Sequence, residues 1–372
     1  MSLKKIFFFI HLWLGLSSGL VVFLIAITGS IYAFQDEIQN LTQPYRFVEA
    51  QSKTFLPPTK LISIAEEQLP KKAVHAVMYQ GAAKSAKVIF YSAKDEYYYF
   101  VYINQYTGEV LKVSDEYATF FRFILDGHYY LWLPHEIGQR VAAIATLIFF
   151  VLVLTGLYLW WPRSKGAVKQ RFSIKWKGKW RRTNYDLHNV LGFYVATLAL
   201  VFAITGLVWG FQWFSKGYYA VISGGKEFVE YQNPVLQFVP ADTSHARNID
   251  KVWIQLMQQY PHAGAIEVHT PEDSASCIAA NINPDASTYW KTDYRYYDQY
   301  TLQEISVKHI WGRFKNLTAS DKLMRMNYDI HVGAVLGLPG KILAFFASLI
   351  IASLPITGLM IWWGRRYKKK NV

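Results

Sequence analysis

Four stretches of this chain, 6–34, 141–161, 190–214 and 342–363, contain no Asp, Glu, Lys or Arg. Each is longer than 20 residues, and about 20 residues rising about 1.5 Å each cross the hydrocarbon core of a bilayer. A backbone in hydrocarbon has to satisfy its own hydrogen bonds, so each stretch is predicted as a helix. One such stretch suits the buried helix of a soluble protein, but four do not. The chain is expected to be an integral membrane α-helical protein.

The net charge of +13 raises the question of nucleic acid, and its location answers it. Residues 163–182 carry nine Lys/Arg and no acid, the tail "RRYKKK" adds five, and Lys4 and Lys5 flank the first apolar run. Short basic segments stay in the cytoplasm by the positive-inside rule, so both termini are expected inside and the segments 35–140 and 215–341 outside. Basic charge placed this way is membrane topology, and no nucleic-acid partner is expected. The first run is too long for a signal peptide and no A-x-A site follows it, so it is expected to be a retained helix. The single Cys277 allows no intramolecular disulfide, and without C-x-x-C-H no c-type haem attachment is expected.

The apolar runs repeat. "HLWLGLSSGLVVFLIAITGSIYAF" from His11 aligns without a gap to "HNVLGFYVATLALVFAITGLVWGF" from His188, and His11–Thr28 and His188–Thr205 are both separated by 17 residues. "TGLYLWWPR" matches "TGLMIWWGR", which aligns Gly138 with Gly340. Between the runs, "YINQYTGEVL" (102–111) resembles "YYDQYTLQEI" (296–305), each predicted as strand, turn and strand. Gly108 supplies the permissive turn backbone in the first copy, where the second has Leu302.

The expected unit is helix, outer α+β domain, helix, written twice as a parallel tandem repeat. The expected layout is a transmembrane helix at 1–34, an outer domain at 35–120, and a second helix with its lead-in at 121–162. A basic cytoplasmic loop at 163–184, a third helix at 185–214, a second outer domain at 215–320, a fourth helix with its lead-in at 321–364 and a tail at 365–372 complete it.

Histidines mark both ends of the helices. His11 and His188 stand at equal positions near the cytoplasmic end. On the even-numbered helices the candidates are His331 and either His128 or His135. His331 lies nine residues before Gly340 and His128 ten before Gly138, whereas His135 aligns with Gly337, so His128 is the expected mate and His135 the reserve. If helical, the eleven residues from His331 to Ile342 span about 16 Å, which places that pair at the outer membrane edge.

Two facing imidazoles per leaflet suit bis-histidine b-type haem, whose iron takes a neutral nitrogen from each side. Gly15 and Gly192, four residues after His11 and His188, are expected to leave room for a macrocycle, with Gly19 one turn further. The bland alternative for these glycines is close helix packing. Structural zinc needs four ligands together, and no Cys or carboxylate accompanies either pair. Two haem b groups are therefore expected, with His11, His188, His128 and His331 as axial ligands. His75, His245, His262, His269 and His309 are assigned no ligand role.

With its His-x₃-Gly runs closed by "ITG", "TGLYLWWPR", "HVGAVLGLPGKILAF" and "YTGEVL", the whole chain resembles the PepSY-associated transmembrane family, which includes inner-membrane ferric-siderophore reductases of Gram-negative bacteria. The resemblance implies four transmembrane helices, two b-type haems on the four histidines above, and periplasmic PepSY domains. It also implies reduction of siderophore-bound Fe(III), with release of Fe(II). No G-x-G-x-x-G is present, so the expected electron donor is a quinol or a separate reductase. Two other classes compete: a siderophore or iron permease, and a PepSY binding module without redox activity. A permease normally carries ionisable coupling residues within its spans. A binding module leaves the histidines unexplained. The aromatic runs "YYYF" (97–100) and "YRYYDQY" (294–300) are expected mainly as strand core, with a substrate-docking surface as the alternative.

Overall fold

The computed structural model describes residues 1–162, 164, 168, 171–236 and 248–368. Among them run α1 (Leu3–Tyr32), α2 (Gln35–Thr42), α3 (Pro58–Gln68), α4 (Phe120–Tyr130), α5 (His135–Trp160), α6 (Trp180–Gly210) and α7 (Gln212–Ser223). After them come α8 (Asn248–Gln259), α9 (Ala319–Arg325), α10 (Asn327–His331) and α11 (Gly337–Lys368). The strands are β1 (Val74–Tyr79), β2 (Ala86–Ser92), β3 (Tyr97–Ile103), β4 (Val110–Asp115), β5 (Ala265–His269), β6 (Ile278–Asn283), β7 (Asp293–Tyr297) and β8 (Glu304–Ile305). The chain divides into a helical unit, Met1–Gln35, Phe123–Tyr218 and Asn327–Val372, and a sheet unit, Asp36–Arg122 and Tyr219–Met326.

Among the described residues, four helical stretches of the helical unit are long and apolar enough to cross a membrane: α1, α5, α6 and Ala334–Arg366, which holds most of α11. They form a ring in which α1 packs on α5 and α11, and α6 packs on the same two. Val22, Ala26, Val195, Ala199, Ala347, Ile351 and Ala352 meet at its centre, with Phe23, Phe149 and Phe202 packed around them. Helix α6 starts at Trp180, well ahead of the apolar run. The ion pair of Arg182 with buried Asp186 (2.9 Å) joins positions i and i+4 of that polar first part.

The lead-ins depart from expectation. His128 and His331 are not on the even-numbered spanning helices but on the separate short helices α4 and α10. Leu131 and Trp132, with φ of 55° and 56°, turn the chain between α4 and α5, and Pro134 caps the new helix. Gly333 and Gly337, with φ of 80° and 65°, do the same before α11. A straight helical rise from His331 to Ile342 therefore does not occur. The two hairpins close tightly: a Cβ on Gly138 would sit 2.0 Å from the Tyr130 carbonyl oxygen, and one on Gly340 would sit 2.1 Å from that of Gly333.

The sheet unit holds the two outer segments, expected as separate domains, in one antiparallel sheet of order β4-β3-β2-β1-β5-β6-β7-β8. The junction is β1 with β5, where Val77 pairs with Val268. Alternate residues of the inner strands (Val77, Val88, Val101, Val268, Ala280) are fully buried against Leu61 of α3 and Leu256 of α8. Burying each such leucine contributes about 1.5–3 kcal/mol as an upper bound. Thr59 and Asp250 tie α3 to α8, the hydroxyl donating to Oδ2 at 2.6 Å.

Both expected turns form. Gly108 N–H donates to Asn104 O and Leu302 N–H to Asp298 O, each at 2.9 Å. Leu302 adopts φ 60° without glycine's freedom and packs on the core, which offsets the strain. Of the aromatic runs, Tyr97 and Tyr297 lie in the core shared with the helices, while Tyr98 and Phe100 meet edge to face 5.1 Å apart outside that core.

Candidate functional site

His11 of α1 and His188 of α6 face each other across the ring, with centroids 6.4 Å apart and planes at 82°. His128 of α4 and His331 of α10 form a second pair at 6.1 Å and 68°. His128 touches α1 at Ile25, fourteen residues beyond His11, so the pairs stand about 20 Å apart along that helix. All four imidazoles are half-buried. The expected partner of His331 is thus His128, while His135 is exposed and rests on Tyr130 at 4.6 Å.

A metal–imidazole bond is about 2 Å long and a ring nitrogen lies about 1 Å from its ring centre, so two imidazoles flanking one ion have centroids about 6 Å apart. Both pairs have that spacing. Among the described residues no group of three or more His, Cys, Asp or Glu can hold a metal ion. Each pair can supply two nitrogens and no more.

What holds the imidazoles is a feature the sequence reading used only for alignment, the Thr-Gly dipeptide in each spanning helix. His11 Nδ1 lies 3.0 Å from Thr155 Oγ1, His188 Nδ1 3.0 Å from Thr357 Oγ1 and His331 Nδ1 2.7 Å from Thr205 Oγ1. His128 Nδ1 donates to the Ile25 carbonyl at 2.9 Å, with Thr28 Oγ1 at 3.4 Å. At three of the four, the glycine after the threonine lets the ring approach closely. An added Cβ would lie 3.2 Å from His11 Cε1 at Gly156, 3.3 Å from His188 Cε1 at Gly358 and 2.8 Å from His128 Cε1 at Gly29.

The glycines singled out from sequence meet helix neighbours instead. Cβ atoms there would be 3.8 Å from Leu152 at Gly15, 3.7 Å from Leu354 at Gly192 and 3.3 Å from Pro355 at Gly19.

A second overlooked signal is the repeated "NYDLH" (184–188) and "NYDIH" (327–331). Asn184 Nδ2 donates to the Thr357 carbonyl at 3.1 Å, and Asn327 Nδ2 donates to that of Thr205 at 3.0 Å. In each pair, one threonine that holds a histidine is itself held by an asparagine.

A largely apolar cavity of about 270 Å³ opens between His128 and His331. Its walls combine small residues, among them Ala26, Ala142, Ala203, Gly206 and Gly210, with aromatic ones such as Phe149, Phe202 and Trp209, whose ring lies 5.4 Å from that of His331.

His75 and His269 touch each other at 4.9 Å on the sheet, where Asn281 bonds His269 at 3.0 Å. Burial lowers the pKa of His75, with a smaller contribution from His269. His309 is buried, its Nε2 bonded to Gln232 O at 3.0 Å, and burial lowers its pKa. His262 is exposed. His245 lies outside the described residues.

The sequence model of a family described as the PepSY-associated TM region matches residues 8–365. No individual curated protein matches the chain.

Proposed function

The chain belongs to the PepSY-associated TM family, a membrane protein with a bilayer for its partner, and we propose that it carries electrons across that bilayer to ferric iron. One observation carries the proposal: two histidine pairs in a single bundle, each with the centroid spacing of two axial ligands on one ion, 6.4 and 6.1 Å. The residues suit b-type haem. They offer two neutral nitrogens per site and no thiolate or carboxylate. The cavity at the second pair is largely apolar, walled by small side chains and aromatic rings. When bound, such a group supplies a one-electron Fe(III)/Fe(II) couple at each pair.

The chain's own residues do the rest. His11 with His188 would hold one group and His128 with His331 the other, and the Thr-Gly dipeptides set the direction of each ring. The apolar centre around Val22, Ala199 and Ile351 keeps water and ions from crossing between the pairs. The aligned runs, the matching turns and the four-plus-four sheet support the parallel tandem repeat. Following the positive-inside charge, we place the protein in a bacterial inner membrane, with both termini in the cytoplasm and the PepSY-like sheet unit in the periplasm. The substrate class is a ferric siderophore or other ferric chelate, and the donor is a quinol or a separate reductase. Fe(II) binds hard-oxygen chelators more weakly than Fe(III), so reduction releases the metal.

The test has two stages. Acid-acetone extraction and a pyridine haemochrome assay should find two non-covalent haems per chain. Proteoliposomes reduced from the inside should then reduce an external ferric hydroxamate. One haem or none, or two haems without ferric reduction, would overturn the reading. Uptake of the intact chelate would point to the permease class.

A further inference from the structure

The threonine hydroxyls can be assigned a direction. Thr155 Oγ1 lies 2.8 Å from Val151 O, Thr205 Oγ1 2.6 Å from Val201 O and Thr357 Oγ1 3.0 Å from Ser353 O. A hydroxyl has one proton, and here the i−4 carbonyl takes it. Toward the histidine the oxygen can only accept, so the imidazole proton sits on Nδ1 and the lone pair on Nε2. At His128 a carbonyl, which can only accept, enforces the same tautomer from Ile25 at 2.9 Å, and Thr28 is secondary at 3.4 Å.

We propose that Thr155, Thr357 and Thr205 are positioning residues that fix the Nδ1–H tautomer of His11, His188 and His331 and aim Nε2 at the bound group, whereas Thr28 is dispensable because the backbone does its work. This deepens the haem reading and rests on it. Partners behind a metal-bound histidine fix its tautomer and raise its basicity. Here the partner is borrowed from a neighbouring element in every case: α5 for α1, α11 for α6 and α6 for α10. Each site therefore forms only when the bundle closes.

The test compares Thr205→Val with Thr28→Val, the same change at positions that stand 17 residues after His188 and His11. Full-length proteins are reconstituted in liposomes. Loss of haem to excess apomyoglobin should be about 10- to 100-fold faster for Thr205→Val and within about twofold of wild type for Thr28→Val. Thr205→Ser, which keeps the hydroxyl, should restore retention. Equal losses from the two valine variants, or no rescue by serine, would overturn the assignment. The tautomer is read separately from ¹⁵N-histidine solid-state spectra of haem-free protein. Thr205→Val should lose one neutral Nδ1-protonated imidazole signal, and an unchanged spectrum would sink the proposal. A wild type that binds no haem overturns the haem reading, and the nitrogen spectrum then decides this one.

Discussion

A Cβ built on Gly29 would fall 2.8 Å from Cε1 of His128 and 3.1 Å from its Nδ1. That ring cannot swing aside cheaply, because its Nδ1 is bonded to Ile25 O at 2.9 Å. Alanine favours a helix interior over glycine by about 1 kcal/mol, so Gly29→Ala should not loosen α1. It should instead displace His128 and weaken haem retention at the second pair by about tenfold or more. At Gly217 an added Cβ meets nothing within 4 Å, and Gly217→Ala should retain both haems. Haem content and the low-spin spectrum of the two variants check this. Equal behaviour would count against it.

His11→Ala and His188→Ala should each deplete the same haem, since their rings form one pair at 6.4 Å. Redox titration should show one couple lost in both variants and the same couple retained. If either variant removed the couple that His331→Ala removes, the pairing would be refuted.

His128→Ala should leave a five-coordinate, high-spin site beside His331 and slow ferric reduction at least tenfold, the lower end of what loss of support to a metal site costs. His135→Ala should behave as wild type, because His135 is exposed and rests on Tyr130. Electron paramagnetic resonance of the two proteins gives the answer. A high-spin signal from His135→Ala alone would exchange the two roles.

Lys87 of the sheet makes stability depend on pH. Burial, with the Arg46 charge adding to it, lowers its pKa from 10.5 to about 8, and its ammonium lies over the rings of Phe100 (5.3 Å) and Tyr102 (5.7 Å). The folded value is below the unfolded one, so between about pH 8 and 10.5 the unfolded chain binds more protons. Stability from this group therefore rises with pH across that window, and its full cost is present below it. Lys87→Met keeps the stem and removes the charge, at a loss of about 2 kcal/mol of cation–π attraction for a desolvated pair. The variant should unfold a few degrees higher near neutral pH, and the gap should shrink as pH approaches 10.5. Thermal melts at pH 7 and pH 10 are the measurement, and a gap that widens with pH would contradict the assignment.

The sequence by itself determined the spanning helices, because hydrocarbon demands a minimum apolar length and an internally bonded backbone, and both are properties of a contiguous stretch. It also singled out His11 with His188 by their shared 17-residue distance to threonine, and preferred His128 over His135 by its distance to an aligned glycine. Only the tertiary structure showed that His128 and His331 ride on short helices of their own. After His128 the turn depends on left-handed Leu131 and Trp132, which no residue preference announces, while after His331 it uses Gly333 and Gly337. Tertiary structure alone also joined the two outer segments through β1 and β5 into one sheet, since strand pairing at that distance has no local signature. The threonine partners are the sharpest case. Thr155 serves His11 across 144 residues and Thr357 serves His188 across 169. Which side chains meet depends on the rotation and depth at which helices pack, and spacing within one helix carries no record of either.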